Sequence, residues 1–235
     1  MRYAIYFTPP EDDALSIRAA TWLGRDAFRG EVRQQPDVAG FDASQIVSLT
    51  EDPRRYGFHA TLKPPFELAS GRSEDELLHS FEAFAAVLQA FEIPKLVLGQ
   101  LGSFFALVPA ERYGELHAFA DACVKHFEPF RAPLSEADIA RRKPEKLTGS
   151  ERQHLMQWGY PYVFEDFRFH MTLTGQVPAE DQAPMRAVLE AQFAPFINRP
   201  LAVSHLSLFV EPERGAPFVM KRIVPLRALP ERKTA

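Results

Sequence analysis

The alternation of hydrophobic and polar positions divides this chain into short strands and amphipathic helices. Residues 2–8 are rich in aromatic and β-branched side chains and end at Pro9-Pro10, which is typical of a strand. Ser73 and Glu76 have the spacing of a capping box, and the hydrophobic residues that follow recur at intervals of three and four, as on one face of a helix. The pattern predicts helices over 11–28, 73–91, 110–126 and from 178 onward, and strands over 2–8, 56–63, 95–101, 104–108, 163–174, 201–210 and 218–226. The polar stretch 30–52 is predicted to be mostly connection, with one short strand near 46–49.

The order of these elements occurs twice along the chain. Residues 1–101 form an approximate first repeat, and residues 104–226 form a second one that contains an inserted polar and helical segment, 131–159. Internal repetition of this kind decides architecture. It predicts a single bilobal α+β domain over residues 1–235, in which duplicated antiparallel sheets carry helices on their outer faces and enclose a central cleft.

One short motif is present once in each repeat. Phe58-His59-Ala60-Thr61-Leu62 lies in the first, and Phe169-His170-Met171-Thr172-Leu173 lies in the second. Both motifs occupy the corresponding predicted strand of their repeat. Chance repetition at corresponding positions is a poor explanation, so the two motifs predict a shared function.

Strand geometry separates the motif residues into two faces. Side chains alternate with a period of two along a strand, so one face is apolar and the other carries imidazole, hydroxyl and a cation. The polar faces are predicted to consist of His59, Thr61 and Lys63 in the first motif, and of Arg168, His170, Thr172 and Thr174 in the second. Packing of a sheet core does not require such a polar face.

Two imidazoles beside hydroxyls suit displacement at a phosphodiester. One histidine can take a proton from the attacking oxygen while the other protonates the leaving oxygen, because the ordinary pKa of histidine, about 6.5, permits either role. Thr61 and Thr172 can donate hydrogen bonds to the phosphoryl oxygens, and Lys63 or Arg168 can add positive charge as substrate ligands. This chemistry requires neither a metal nor a cofactor, and the roles of His59 and His170 stay interchangeable at this level.

Composition narrows the classes of function. The formal net charge is −4 without a long run of either sign, which disfavours a non-specific nucleic-acid coat protein. The single cysteine, Cys123, excludes an internal disulfide and a cysteine metal finger. We find neither an apolar stretch of the roughly 18–20 residues that a spanning helix needs nor a signal peptide, so a cytoplasmic location without a membrane partner is expected. The sequence indicates no protein partner.

The longer strings around both motifs resemble a known superfamily. Arg55-Tyr56-Gly57-Phe58-His59-Ala60-Thr61-Leu62-Lys63-Pro64-Pro65-Phe66, and Trp158 to Val163 running on to Phe167–Gly175, are similar to the two-histidine (2H, LigT-like) phosphoesterases. They look most like a branch encoded in bacterial phosphonate-utilisation operons. The resemblance covers essentially the whole chain and implies a bilobal fold, metal-independent phosphoesterase chemistry and a link to phosphonate breakdown.

Several functions remain open from the sequence. The leading expectation is hydrolysis of a cyclic phosphodiester on a small metabolite such as a cyclic ribose phosphate. The alternatives are a 2′,3′-cyclic phosphodiesterase or 2′–5′ ligase acting on RNA, and a non-catalytic protein that binds a nucleotide or phosphorylated metabolite. His205-Leu206-Ser207-Leu208 also fits the motif, but it lies on a strand that has no counterpart histidine in the first repeat. A metal site joining the motif histidines to Glu165 or Asp166 is disfavoured, because an extended strand would place Asp166 roughly 13 Å from His170.

Overall fold

The computed structural model describes residues 1–228 and contains most of the predicted strands and helices in the expected order, with additions and two differences. The strands are β1 (Arg2–Phe7), β2 (Arg25–Asp26), β3 (Glu31–Val32), β4 (Ala60–Phe66), β5 (Phe91–Leu101), β6 (Phe104–Pro109), β7 (Met171–Thr172), β8 (Arg199–Val203), β9 (His205–Glu211) and β10 (Val219–Pro225). The α-helices are α1 (Ala14–Leu23), α2 (Ala43–Leu49), α3 (Glu51–Tyr56), α4 (Glu74–Val87), α5 (Gly114–Phe127), α6 (Glu136–Arg141), α7 (Gly149–Trp158) and α8 (Gln182–Phe193). Within residues 1–228, every helix is too short or too polar to cross a membrane.

Eight of the strands form one strongly curled antiparallel sheet in the order β10-β9-β1-β4-β7-β6-β5-β8. The predicted α+β class is confirmed. The strands of the two predicted repeats interleave: β9 and β10 join β1 of the predicted first repeat, whereas β5 of that repeat joins β6 and β8 of the second. The two halves meet where β4 pairs with β7, which brings the strands of the two histidine motifs side by side.

The outer face of the sheet holds the main hydrophobic core. Residues from β1, β4 and β7 form one continuous buried cluster with α1, α4, α5 and α8. The predicted helix after Ser73 is confirmed as α4, whose Ser73 and Glu76 form the reciprocal capping box. A smaller cluster lies on the inner face and consists of Ala4, Tyr6, Ala27, Phe209 and Phe218. These two clusters pack against opposite faces of β1, the strand that pairs with β4.

Two predicted segments were wrong in their secondary structure. Residues 43–56 are helical rather than connection with a strand, because Asp42 caps α2 and Gln45 completes a capping box. The long strand predicted over 163–174 is reduced to β7, because a 3-10 turn at Phe164–Asp166 interrupts it and Phe164 has a φ of 55°. The segment 131–159 contains α6 and α7.

Candidate active site

The four motif residues come together where β4 and β7 pair. Ala60 lies opposite Met171 in the antiparallel register, and both side chains are buried in the outer core. His59 therefore lies across from Thr172, and Thr61 lies across from His170, all on the inner face. The two histidines occupy one diagonal of this quartet, and diagonal neighbours on a sheet are about 7–8 Å apart. That spacing leaves room for one phosphoryl group between the imidazoles.

Both imidazoles are held in the same tautomer by the same local bond. Nδ1 of His59 lies 2.9 Å from the carbonyl oxygen of Gly57, and Nδ1 of His170 lies 2.7 Å from the carbonyl oxygen of Arg168. A carbonyl oxygen only accepts, so each Nδ1 carries a hydrogen and donates it. The Nε2 atoms are left for proton transfer on the inner face.

Gly57 positions the first histidine through its backbone. Its φ of 77° and ψ of 171° belong to a region that is essentially restricted to glycine. A Cβ at this position would lie 2.4 Å from the Cβ of Ala27. The carbonyl that orients His59 therefore depends on glycine at this position.

Burial makes the first histidine a weak base that is neutral at ordinary pH. The Tyr6 ring stacks on the His59 ring with centroids 3.8 Å apart, and Tyr6 itself is only 1% exposed. Burial, opposed by the hydrogen bond to Gly57 and assisted by the charge of nearby His170, lowers the pKa of His59 to about 4. Burial also lowers the pKa of His170. Burial therefore favours the neutral form of both imidazoles.

The two threonines differ in their resting contacts. The Thr61 hydroxyl lies 3.2 Å from Nε2 of His59 and can donate to its lone pair until a substrate replaces it. The Thr172 hydroxyl forms no hydrogen bond with another residue between 1 and 228. Both threonines are half-buried beside the histidines, so their hydroxyls can reach a group bound between the rings.

The predicted direction of Lys63 is wrong. Tyr6 pairs with Thr61, but Ile5 pairs with Lys63, so an irregularity at Leu62 shifts the alternation by one residue. Lys63 consequently points into the outer core, where it is 1% exposed and donates to Glu128 at 2.7 Å. It cannot contact a ligand on the inner face in this arrangement, and its role as a substrate ligand is not supported.

Arg168 contributes its backbone to the site. Its carbonyl orients His170, whereas its side chain is exposed and forms no ion pair or hydrogen bond with the other residues between 1 and 228. A role for its guanidinium as a substrate ligand stays a prediction.

Sequence reasoning missed the aromatic residues beneath the first histidine. Tyr6 and Tyr56 both contact the His59 ring, at centroid distances of 3.8 and 6.1 Å. The facing of β1 could not be decided from its sequence, because nearly all of its residues are hydrophobic. His205 lies at the start of β9 beside Ser204, outside the quartet.

The two acidic residues considered as metal ligands lie beside a different histidine. Glu165 and Asp166 are 3.5 and 3.3 Å from the ring nitrogens of His154. Within residues 1–228, these three residues are the one cluster of potential metal ligands whose donor atoms all lie within 4.8 Å of one another. The cluster includes neither motif histidine. The donor set of the quartet, two imidazoles with two hydroxyls, suits proton transfer.

Comparison with known proteins identifies relatives of this chain. Two curated relatives are the proteins named "Ribose 1,5-bisphosphate phosphokinase PhnN" of Janthinobacterium sp. (strain Marseille), 38% identical over 235 residues and 98% of this chain, and of Laribacter hongkongensis (strain HLHK9), 34% identical over 225 residues and 95% of this chain. The chain spans 52% of the length of each, about half.

Solved structures give weaker likenesses. E. coli LigT complexed with 3′-AMP is 13% identical over 96% of this chain and 97% of that chain, with a TM-score of 0.44. A crystal structure of a phosphoesterase is 14% identical over 96% of this chain and 98% of that chain, with a TM-score of 0.42. Because both scores are low, we infer neither fold nor activity from them.

A protein family matches the part of the chain that contains most of the site. The family described as "Protein of unknown function (DUF1045)" matches residues 61–219, which include Thr61, His170 and Thr172. This match covers more than half of the 235 residues. The chain is therefore a member of the DUF1045 family.

Proposed function

We propose that this protein is a metal-independent phosphoesterase that hydrolyses a cyclic phosphodiester on a small metabolite. The observation that carries the proposal is the quartet where β4 and β7 pair, in which two histidines whose Nδ1 atoms bond to the backbone lie diagonally across one site. In-line displacement at phosphorus needs a base and an acid on opposite sides of the reacting group. The diagonal arrangement of His59 and His170 meets that requirement.

The two histidines take different roles in this proposal. Neutral His59 accepts a proton from water at Nε2 as the water oxygen bonds to phosphorus. The bond from phosphorus to the leaving oxygen breaks, and Nε2 of protonated His170 supplies the proton to that oxygen. This assignment is part of the proposal and uses the low pKa of His59, about 4, which keeps that imidazole neutral and able to accept a proton. The product is a phosphomonoester, and solvent returns both imidazoles to their starting states.

The threonines stabilise the charge that develops on phosphorus. Thr61 and Thr172 occupy the other diagonal of the quartet and can donate hydrogen bonds to the non-bridging oxygens. Such donors are most effective when they are positioned before the reaction. The half-burial of these side chains limits competition by water.

The proposed substrate class is a phosphorylated sugar. Two curated relatives have names that refer to ribose 1,5-bisphosphate, and the resemblance described from the sequence indicates phosphonate breakdown. The chain contains no Gly-x-x-x-x-Gly-Lys-Ser/Thr string, the phosphate-binding loop of many kinases. We therefore propose ester hydrolysis here rather than phosphoryl transfer from a nucleotide.

Turnover of a panel of esters in the presence of EDTA tests the proposal. The panel contains ribose 1,2-cyclic phosphate, 2′,3′-cyclic nucleotides and a short RNA with a cyclic end. We expect at least one substrate to be hydrolysed in EDTA, with a loss of about 10²-fold or more in both His59→Ala and His170→Ala. His205→Ala is the matched control, because it removes a histidine of a similar motif outside the quartet. Turnover that survives loss of His59 and His170 would contradict the proposal, and binding without turnover would favour a non-catalytic protein.

A further inference from the structure

A cavity of about 410 Å³ next to the quartet is lined mainly by arginine. Its guanidinium groups come from distant parts of the chain, and we call this cavity the arginine pocket. The arginines are Arg2, Arg55, Arg141, Arg142 and Arg214. Such convergence from β1, α3, α6 and the turn after β9 is a product of the fold rather than of a basic run in the sequence.

The arginine pocket is next to the proposed catalytic site. Tyr56 lines the pocket, and its ring centroid is 6.1 Å from that of His59. Pro65, another lining residue, is on β4, the strand that carries Thr61. A ligand that is held between the histidines and extends past Tyr56 would enter the pocket.

The positive charge of the pocket exceeds the negative charge around it. Glu211 pairs with Arg2 at 2.5 Å and with Arg55, and no part of its side chain is exposed. Asp138 pairs with Arg141 at 2.6 Å and with Arg214 at 2.8 Å.

Glu67 supplies a third carboxylate, 2.8 Å from Arg214. Five guanidinium groups thus face three carboxylates, which leaves an excess of two positive charges. These carboxylates also hold four of the five guanidinium groups in place, so most of the pocket is ordered before a ligand enters.

Arg142 is the arginine of the pocket whose positive charge is least neutralised by carboxylates. Within residues 1–228 it forms no ion pair with a carboxylate, and its guanidinium carbon lies 4.9 Å from the centroid of the Tyr160 ring. The ring restricts the side chain while leaving its hydrogen-bond donors available. A guanidinium held in this way is suited to bind phosphate through two parallel hydrogen bonds.

We propose that the arginine pocket binds a second phosphate group of the substrate, which makes the preferred substrate a sugar carrying both a cyclic phosphodiester and a phosphomonoester. This inference rests on the proposed function for the position of the cyclic ester. A phosphomonoester dianion matches the two excess charges of the pocket, and Arg142 is the principal ligand. An uncharged or cationic group has no comparable partner there.

Binding of matched ligands tests the pocket separately from catalysis. The protein is the His59→Ala/His170→Ala double variant, which leaves the ligand unconsumed. The ligands are ribose 1,2-cyclic phosphate with and without a 5-phosphate, and adenosine 2′,3′-cyclic phosphate with and without a 5′-phosphate. We expect the 5-phosphorylated member of at least one pair to bind about ten-fold tighter or more, since hydrogen bonds to charged groups contribute on this scale.

Two arginine variants of this protein locate the effect. Adding Arg142→Ala should reduce the advantage of the extra phosphate to about two-fold or less, and Arg142→Lys should retain part of it. Arg222→Ala is the control, because Arg222 is exposed on β10 and pairs with Glu82 outside the pocket. It should leave the advantage unchanged.

Three results would overturn the pocket assignment: equal binding within both pairs, an advantage that survives Arg142→Ala, or no binding of any of the four ligands. The proposed function fails on a different result, turnover by the unaltered protein that does not depend on His59 and His170. The two failures are therefore distinguishable.

Discussion

Replacing Tyr6 by leucine should raise the pKa of His59, because the Tyr6 ring stacks directly on that imidazole. The rings are stacked with centroids 3.8 Å apart, and burial lowers the pKa of His59 from 6.5 to about 4. This difference corresponds to about 3 kcal/mol in favour of the neutral ring. Leucine is smaller and flexible, so water reaches one face of the imidazole, and we expect the pKa to rise by about one unit or more.

The assay is an NMR titration of the His59 ring between pH 3 and 8, with its signal identified by its absence in His59→Gln. Tyr6→Phe is the matched control, since it keeps the ring and should leave the His59 pKa unchanged. A His59 that titrates near 6.5 in the unaltered protein would refute the reasoning, as would a Tyr6→Leu variant in which the pKa stays near 4.

The same shift determines how stability depends on pH. Between about pH 4 and 6.5, His59 binds a proton in the unfolded chain but not in the folded one, so the free energy of unfolding should increase with pH across this window. The contribution from His59 approaches about 3 kcal/mol over the full window. Urea unfolding at pH 4.5 and 7 should show a smaller difference between the two pH values in Tyr6→Leu than in the unaltered protein.

Three further predictions follow from the site. Lys63→Met should change kcat/KM by less than about two-fold, because Lys63 points away from the inner face. The Glu128 carboxylate that it leaves behind stays paired with Arg131. A ten-fold loss of kcat/KM would show that the lysine acts on the substrate. Gly57→Ala should lower the free energy of unfolding by about 1–3 kcal/mol and reduce turnover. Urea unfolding and initial rates measure these two effects. A variant with unchanged stability and turnover would contradict the role of the Gly57 carbonyl. The pH profile of kcat/KM should rise as His59 loses its proton near pH 4 and fall as His170 loses its own below pH 6.5, and His170→Ala should remove the alkaline limb.

The motif faces were predictable from the sequence because the period of a strand is two. That rule placed His59 with Thr61 and His170 with Thr172 on one side of their strands, as the structure shows. The rule failed for Lys63, because an irregularity at a single residue reverses the alternation of side chains along the strand. Such an irregularity cannot be detected from the composition of the sequence. The catalytic roles of these residues remain predictions.

The arginine pocket could not be predicted, since its members are separated by up to 212 positions. Arg2 meets Glu211 only because β1 pairs with β9, and that pairing is not visible in one sequence. By contrast, the sequence contains a signal for α2, because Asp42 and Gln45 have capping-box spacing. The polar composition around these two residues favoured a connection instead.

The interleaving of the repeats has a consequence for how the protein folds and for how it can be divided. A fragment ending at residue 101 would lack the partners of β1 on one side and all the partners of β5, so we expect that neither predicted repeat folds on its own. The sheet closes only after strands from both chain ends have met, which makes its topology one of high contact order and slow nucleation. Because β4 pairs directly with β7, the separation of the two histidines is set by main-chain hydrogen bonds rather than by the angle between two lobes. A change of substrate would therefore have to come from the surrounding loops and helices, with the spacing of acid and base left as it is.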